Sequence, residues 1–98
     1  MSEITVAEVD VRRVRDQIVD VREDGEVTEG MIPGAIHIPL GQLAARVGEL
    51  DRERPVVTVC RSGKRSALAA EELSGAGFRA DTMGGGMTAW QAAGLPTS

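Results

Sequence analysis

The chain has 98 residues, of which 42% are apolar and 27% charged, the profile of one compact soluble domain and no more. A net charge of −4 gives no reason to expect nucleic-acid binding, and one cysteine excludes an internal disulfide. No apolar stretch is long enough to span a bilayer.

Aromatic residues are limited to Phe78 and Trp90, so the core must be built from Val, Ile, Leu, Ala and Met. MSEITVAEVD has neither a basic n-region nor an apolar h-region, so no secretory signal is expected and the cytoplasm is the default location. The stretch 7–9 is a candidate edge strand, followed by a short helix over 10–15. IVDV at 18–21 reads as a strand, and AIHI at 35–38 as a shorter one bounded by Pro33-Gly34 and Pro39. A helix is expected over 41–47, then a strand at VVTVC, 56–60. The clearest helix is 66–76, where Ala69, Ala70, Leu73 and Ala76 form one stripe and Gly75 and Gly77 stop it. A strand over 79–83 and a helix over 87–93, anchored by Trp90, complete the chain. The two longest apolar runs are β-branched and continuous instead of alternating, which suits parallel strands covered on both faces. Alternation of strand and helix in so short a chain predicts an α/β fold with a mostly parallel sheet.

Charge is unevenly placed. Between Arg54 and Ala70 there is no acid and there are four cations, Arg54, Arg61, Lys64 and Arg65, so the remainder carries −8 (−4 minus +4). Within this island lies VVTVCRSGKRS, with the only cysteine, Cys60, at the end of a strand and directly before a helix. Ligands of open α/β sheets bind at the carboxyl ends of strands. Helix N-termini present unpaired N–H groups, and Gly63 lets such groups curl into an anion nest. A cysteine there should have a depressed pKa from the helix dipole, the backbone N–H groups and the charges of Arg61, Lys64 and Arg65. Free cysteines are usually buried and inert, but three cations within five residues argue for a nucleophile. The loop needs no separate general base.

Spacing excludes other loops. A phosphate-binding G-x-x-x-x-G-K-[ST] loop would need glycine where Thr58 stands and would place no Arg65 between Lys64 and Ser66. A cysteine phosphatase pattern, C-x5-R, would need arginine where Ser66 stands, so phosphatase or arsenate reductase chemistry is disfavoured. One Cys and one His are too few for a metal site, and no metal or cofactor is expected. MGGGM at 83–87 lacks dinucleotide spacing and predicts a tight turn before the Trp90 helix. Asp20 and Arg22, at the end of the IVDV strand, are candidates for supporting the loop or for a structural ion pair, with the pair preferred. His37 reads as a half-buried strand residue with a satisfied ring.

CRSGKRSALAAEELSGAGF resembles the active-site segment of rhodanese-like sulfurtransferases, and IVDVRE, GMIPGAIHIPLGQL and MGGGMTAWQAAGLP resemble other segments of that family in the same order. The resemblance covers nearly the whole chain, expected to be a single domain over 1–98 of the one-domain type. It implies a five-stranded, mostly parallel sheet with helices on both faces. It implies Cys60 as the sulfur-carrying nucleophile. The N–H groups of Arg61, Ser62, Gly63, Lys64, Arg65 and Ser66 would then cradle a persulfide, and the side chains of Arg61, Lys64 and Arg65 would attract an anionic donor. Thiosulfate or a similar small molecule would supply sulfur to cyanide, a small thiol or a protein thiol. The alternative is a sulfur carrier or regulatory docking module with slow turnover. A monomer is expected. One departure is Met31, where the family often has histidine before I-P-G-A.

Overall fold

The computed structural model describes residues 1–98. Five strands, β1 (Glu3–Ile4), β2 (Gln17–Asp20), β3 (Ile36–His37), β4 (Val56–Val59) and β5 (Ala80–Met83), form one sheet in the order β1-β5-β4-β2-β3. Every pairing is parallel. Five helices alternate with them: α1 (Val6–Arg12), α2 (Asp24–Val27), α3 (Leu43–Arg46), α4 (Lys64–Gly75) and α5 (Gly86–Ala92). Single 3-10 turns, Leu40–Gln42 and Val47–Glu49, flank α3. No helix is long and apolar enough to cross a membrane.

The continuous apolar strands work as the pattern predicts, because successive side chains feed two cores. Val19, Val56, Cys60 and Ala80 point to one face, against Leu43, Ala69, Ala70 and Leu73 of α3 and α4. Ile18, Val57, Val59 and Met83 point to the other, against Val9, Met87 and Trp90 of α1 and α5. The expected fold, with helices on both faces, is therefore observed. The strand order reverses direction between β2 and β4, since β2 is followed outward by β3 and β4 by β5 on the opposite side. The crevice at the carboxyl ends of these two strands is the place where such sheets bind ligands, and Cys60 and Arg22 lie there.

Two expectations at the amino end need correction. The stretch 7–9 lies within α1, and the edge strand is Glu3–Ile4. Thr5 caps a helix that begins at Val6, four residues earlier than expected, its hydroxyl accepting from the Glu8 N–H at 3.2 Å. The helix expected over 41–47 is one turn of α3 between two 3-10 turns, and α2 was not foreseen. Helix α4 ends as predicted near Gly77, which has φ +95°. The Phe78 N–H donates to the Leu73 carbonyl and the Gly77 N–H to that of Ser74, the pattern of a left-handed helix stop.

Trp90 is fully buried, and its indole N–H donates to the Pro96 carbonyl at 2.8 Å, tying the carboxyl-terminal segment to α5. It is the largest side chain in a chain otherwise poor in aromatics. Trp90→Ala is expected to destabilise the fold by about 3–5 kcal/mol, read from the urea midpoint.

Candidate active site

Strand β4 delivers Cys60 to the sheet mouth, and the chain turns at once through residues 61–63 into α4. Gly63 precedes the helix with φ +106°, a conformation that side-chain-bearing residues rarely adopt. The turn brings the Gly63 N–H to 3.0 Å from Cys60 Sγ, donating to the sulfur. The Ser66 hydroxyl, one turn into α4, lies 3.4 Å from the same sulfur. Helix α5 closes the back of the loop: the Met87 N–H donates to the Cys60 carbonyl at 2.8 Å and the Thr88 N–H to that of Arg61 at 3.1 Å. This contact explains MGGGM. A Cβ on Gly86 would overlap the Arg61 carbonyl, and Gly86 itself has φ +57°.

Cys60 is buried, 1% exposed as a residue. Burial pushes its thiol up, but hydrogen bonds from the Ser66 hydroxyl and from the N–H groups of Ser66, Gly63 and Ser62 outweigh that effect. The thiol therefore lies below its ordinary range. The cations foreseen as a third cause are not among the main ones. Arg65 turns its guanidinium to Glu26 of α2, with two hydrogen bonds of 2.6 and 2.8 Å. Arg61 and Lys64 are exposed and take part in no ion pair. Amide hydrogens thus converge on the sulfur, whereas guanidinium groups do not.

Asp20 and Arg22 form a buried fork-like pair, Nη2 to Oδ2 at 2.8 Å and Nε to Oδ1 at 3.0 Å. Arg22 also donates to the Gly30 carbonyl at 2.7 Å and to that of Glu26. The pair organises the 23–30 segment that carries Glu26, and so reaches the cysteine loop only through Arg65. Its orientation follows from strand parity: Asp20 is beside Val59 in register, one position before Cys60 and on the opposite face. His37 Nε2 sits 2.7 Å from the Arg22 carbonyl, the satisfied ring that was expected. A polar cavity of about 80 Å³ lies beside the loop between Arg61, Arg22, Glu26, Glu29, Thr88 and Gln91; the Cys60 side chain does not line it.

Three contributors escaped the sequence reading. Glu26 was not foreseen as the partner of Arg65. Thr58 and Thr82 sit mid-strand on the α4 side of the sheet, where the Thr58 hydroxyl donates to the Ser66 carbonyl at 2.7 Å and the Thr82 hydroxyl to the Ser66 hydroxyl at 2.8 Å. For Thr58, a hydroxyl inside the otherwise apolar buried strand VVTV was the available signal, because such a group needs a partner; the strand ADTM offers no such signal for Thr82.

The fold and site define a class: an α/β domain with a parallel sheet and a lone cysteine at the end of its central strand, its sulfur held by the turn into a helix. The sequence matches the rhodanese-like domain family over residues 5–93. YtwF of Bacillus subtilis is 45% identical over 74 residues, which span 76% of this chain and 72% of that protein. Thiosulfate sulfurtransferase GlpE of Shewanella oneidensis is 38% identical over 78 residues, 79% of this chain and 77% of that one. A rhodanese-related protein from Thermoplasma volcanium superposes with a TM-score of 0.95 at 31% identity, covering 100% of this chain and 98% of its own. The chain belongs to the rhodanese-like family and is a sulfurtransferase of that family.

Two outcomes test the geometry. The Glu26 carboxyl is held down at about 2, from an ordinary 4.5, first by the Arg65 guanidinium and then by the Glu23 N–H. A lowered value means stabilisation that is complete above about 4.5 and lost as pH falls toward about 2. Glu26→Gln should therefore cost about 1 kcal/mol at pH 7, since the pair is partly exposed, with the gap to wild type closing across that acid window in urea titrations. Gly86→Ala should cost about 1–3 kcal/mol in the same assay and alter the alkylation rate of Cys60, because the Cys60–Arg61 backbone must shift to admit the methyl group.

Proposed function

We propose that the protein moves a sulfane sulfur from thiosulfate or a similar anionic donor to a thiophilic acceptor through a persulfide on Cys60. The observation that carries this reading is the 3.0 Å hydrogen bond from the Gly63 N–H to Cys60 Sγ, in a loop of six residues from Cys60 to Arg65. The cysteine thiolate attacks the outer sulfur of the donor. The new S–S bond forms as the bond to the sulfonate sulfur breaks, and its electron pair departs with sulfite. A nucleophilic acceptor, cyanide or a small or protein thiol, then attacks the outer sulfur of the persulfide, and the bonding pair returns to Cys60 as thiolate. No oxidant or reductant is consumed. The N–H groups of Ser62, Gly63 and Ser66, which already bond to the sulfur, would stabilise it as an anion in both halves without reorganising. Arg61 and Lys64 are the free cations that would draw the donor to the mouth.

Phosphoryl transfer suits the site less well. Ser66 stands where a phosphatase arginine would be, and the guanidinium of Arg65 is engaged by Glu26. Relatives such as the Shewanella oneidensis thiosulfate sulfurtransferase favour thiosulfate as the first donor to try. Whole-protein mass spectrometry after thiosulfate treatment should show a gain of one sulfur that is discharged by cyanide and absent from Cys60→Ser. Initial rates against both substrates should give the parallel double-reciprocal lines of a two-step exchange. No mass gain, or a gain that persists in Cys60→Ser, overturns the proposal.

A further inference from the structure

Ser66 is completely buried, and its hydroxyl oxygen has three neighbours: the Thr82 hydroxyl at 2.8 Å, the Gly63 carbonyl at 3.2 Å and Cys60 Sγ at 3.4 Å. Thr82 is 3% exposed, and the Ser66 oxygen is the one partner of its hydroxyl. A buried hydroxyl must place its proton on an acceptor, so Thr82 donates to Ser66. The Thr58 hydroxyl cannot take that place, since its one proton is held by the Ser66 carbonyl at 2.7 Å, with the Asp81 carbonyl farther off at 3.3 Å. Thr82 therefore fills one lone pair of the Ser66 oxygen permanently. The Ser66 proton is left with two destinations, the Gly63 carbonyl and the sulfur.

The choice between them depends on the charge of the sulfur. A neutral thiol has a proton of its own, which it can donate to the second lone pair of Ser66, while Ser66 donates to Gly63. An ionised sulfur has no proton to give and attracts one, so the Ser66 hydroxyl turns to it. We propose that Thr82 and Ser66 form a buried hydroxyl relay that swings one O–H from the Gly63 carbonyl to the Cys60 sulfur when that sulfur is ionised. Ser66 touches the reacting atom. Thr82 acts through Ser66, and is a positioning residue. The inference rests on Cys60 being the sulfur-carrying nucleophile for its use in catalysis, but the relay itself is a property of the free thiol and can be read without any donor.

Apart from Arg65, whose charge is coupled to that of Cys60, the relay has little competition from formal charge. From α4, Arg65 is held by Glu26 of α2, and Lys64 is exposed with Arg61 of the loop. At the end of β2, Asp20 and Arg22 pair with each other. Asp81 of β5 turns its carboxylate away to Ser2 and Arg12, Arg46 of α3 pairs with Glu49, and α5 has no charged residue.

The test is the rate of Cys60 alkylation by iodoacetamide across pH, in the full chain and in Ser66→Ala, Thr82→Val and Thr82→Ser, with stability measured alongside. Thr82→Val keeps shape and removes the donor, so the Ser66 hydroxyl is no longer polarised by a bond it accepts, donates more weakly to the ionised sulfur, and ionisation becomes harder. Ser66→Ala should raise the alkylation midpoint by about one pH unit, a tenfold smaller thiolate fraction below it. Thr82→Val should raise it by about half that, and Thr82→Ser should restore the wild-type profile, which a merely space-filling threonine would not require. Unchanged midpoints in Ser66→Ala and Thr82→Val, a shift in the first without one in the second, or a Thr82→Ser profile equal to that of Thr82→Val would each overturn the relay. Thiosulfate loading of the same samples separates the two ideas: shifted midpoints with no added sulfur on the wild type would sustain the relay and sink sulfur transfer, and loading with unshifted midpoints would do the reverse.

Discussion

Cys60 is gripped from both sides of its backbone. The Gly63 N–H in front takes the sulfur, and the Met87 N–H behind takes the carbonyl oxygen. Each donor belongs to the approach to a helix, α4 in the first case and α5 in the second, and each approach runs through a left-handed glycine, Gly63 or Gly85. The crowding this produces leaves no room for a side chain at Gly86. The single glycine of CRSGKRS and the glycine run of MGGGM, more than twenty residues apart, thus answer one demand: three backbone segments must meet within hydrogen-bonding distance of one another at the end of the central strand.

The electrostatics follow from that packing more than from the count of charges. A cationic island on an acidic chain suggests a field focused on the sulfur, yet the side chains within it do different work. Arg65 is neutralised by Glu26, which ties α4 to the short helix α2. Arg22 is neutralised by Asp20 and fastens the same segment from below through carbonyls of Glu26 and Gly30. What lowers the thiol most is short-range and neutral, amide N–H groups and one hydroxyl, with the charge of Arg65 a lesser influence. Such donors hold their direction in a buried site, where a flexible charged side chain would lose entropy to do the same.

The architecture was largely legible because burial on both faces leaves a plain mark, and QIVD and VVTV carry it as four fully buried residues each. Boundaries at the amino end were less so. T-V-A-E at 5–8 is a helix-start pattern, but the apolar residues around it also fit a short strand. Helix α2 buries no residue of its own, so no periodicity could announce it; it stands on a capping box between Glu23 and Glu26 and on tertiary bonds to Arg22 and Arg65. Within the site, Cys60 and Gly63 could be found from local order alone. Glu26 and Thr82 could not, and Thr58 announced only that it needs a partner, because each meets the loop through the register of the sheet or a crossing between elements distant in the chain.

The sheet ends on both sides in strands of two residues, Glu3–Ile4 and Ile36–His37. A border that brief offers a passing chain almost no ladder to extend, and at one border Pro39 follows closely and cannot donate. The apolar centre that makes the fold is therefore shut off from fibril-like growth along its rims, a safeguard for a molecule whose interior strands would be adhesive if uncovered.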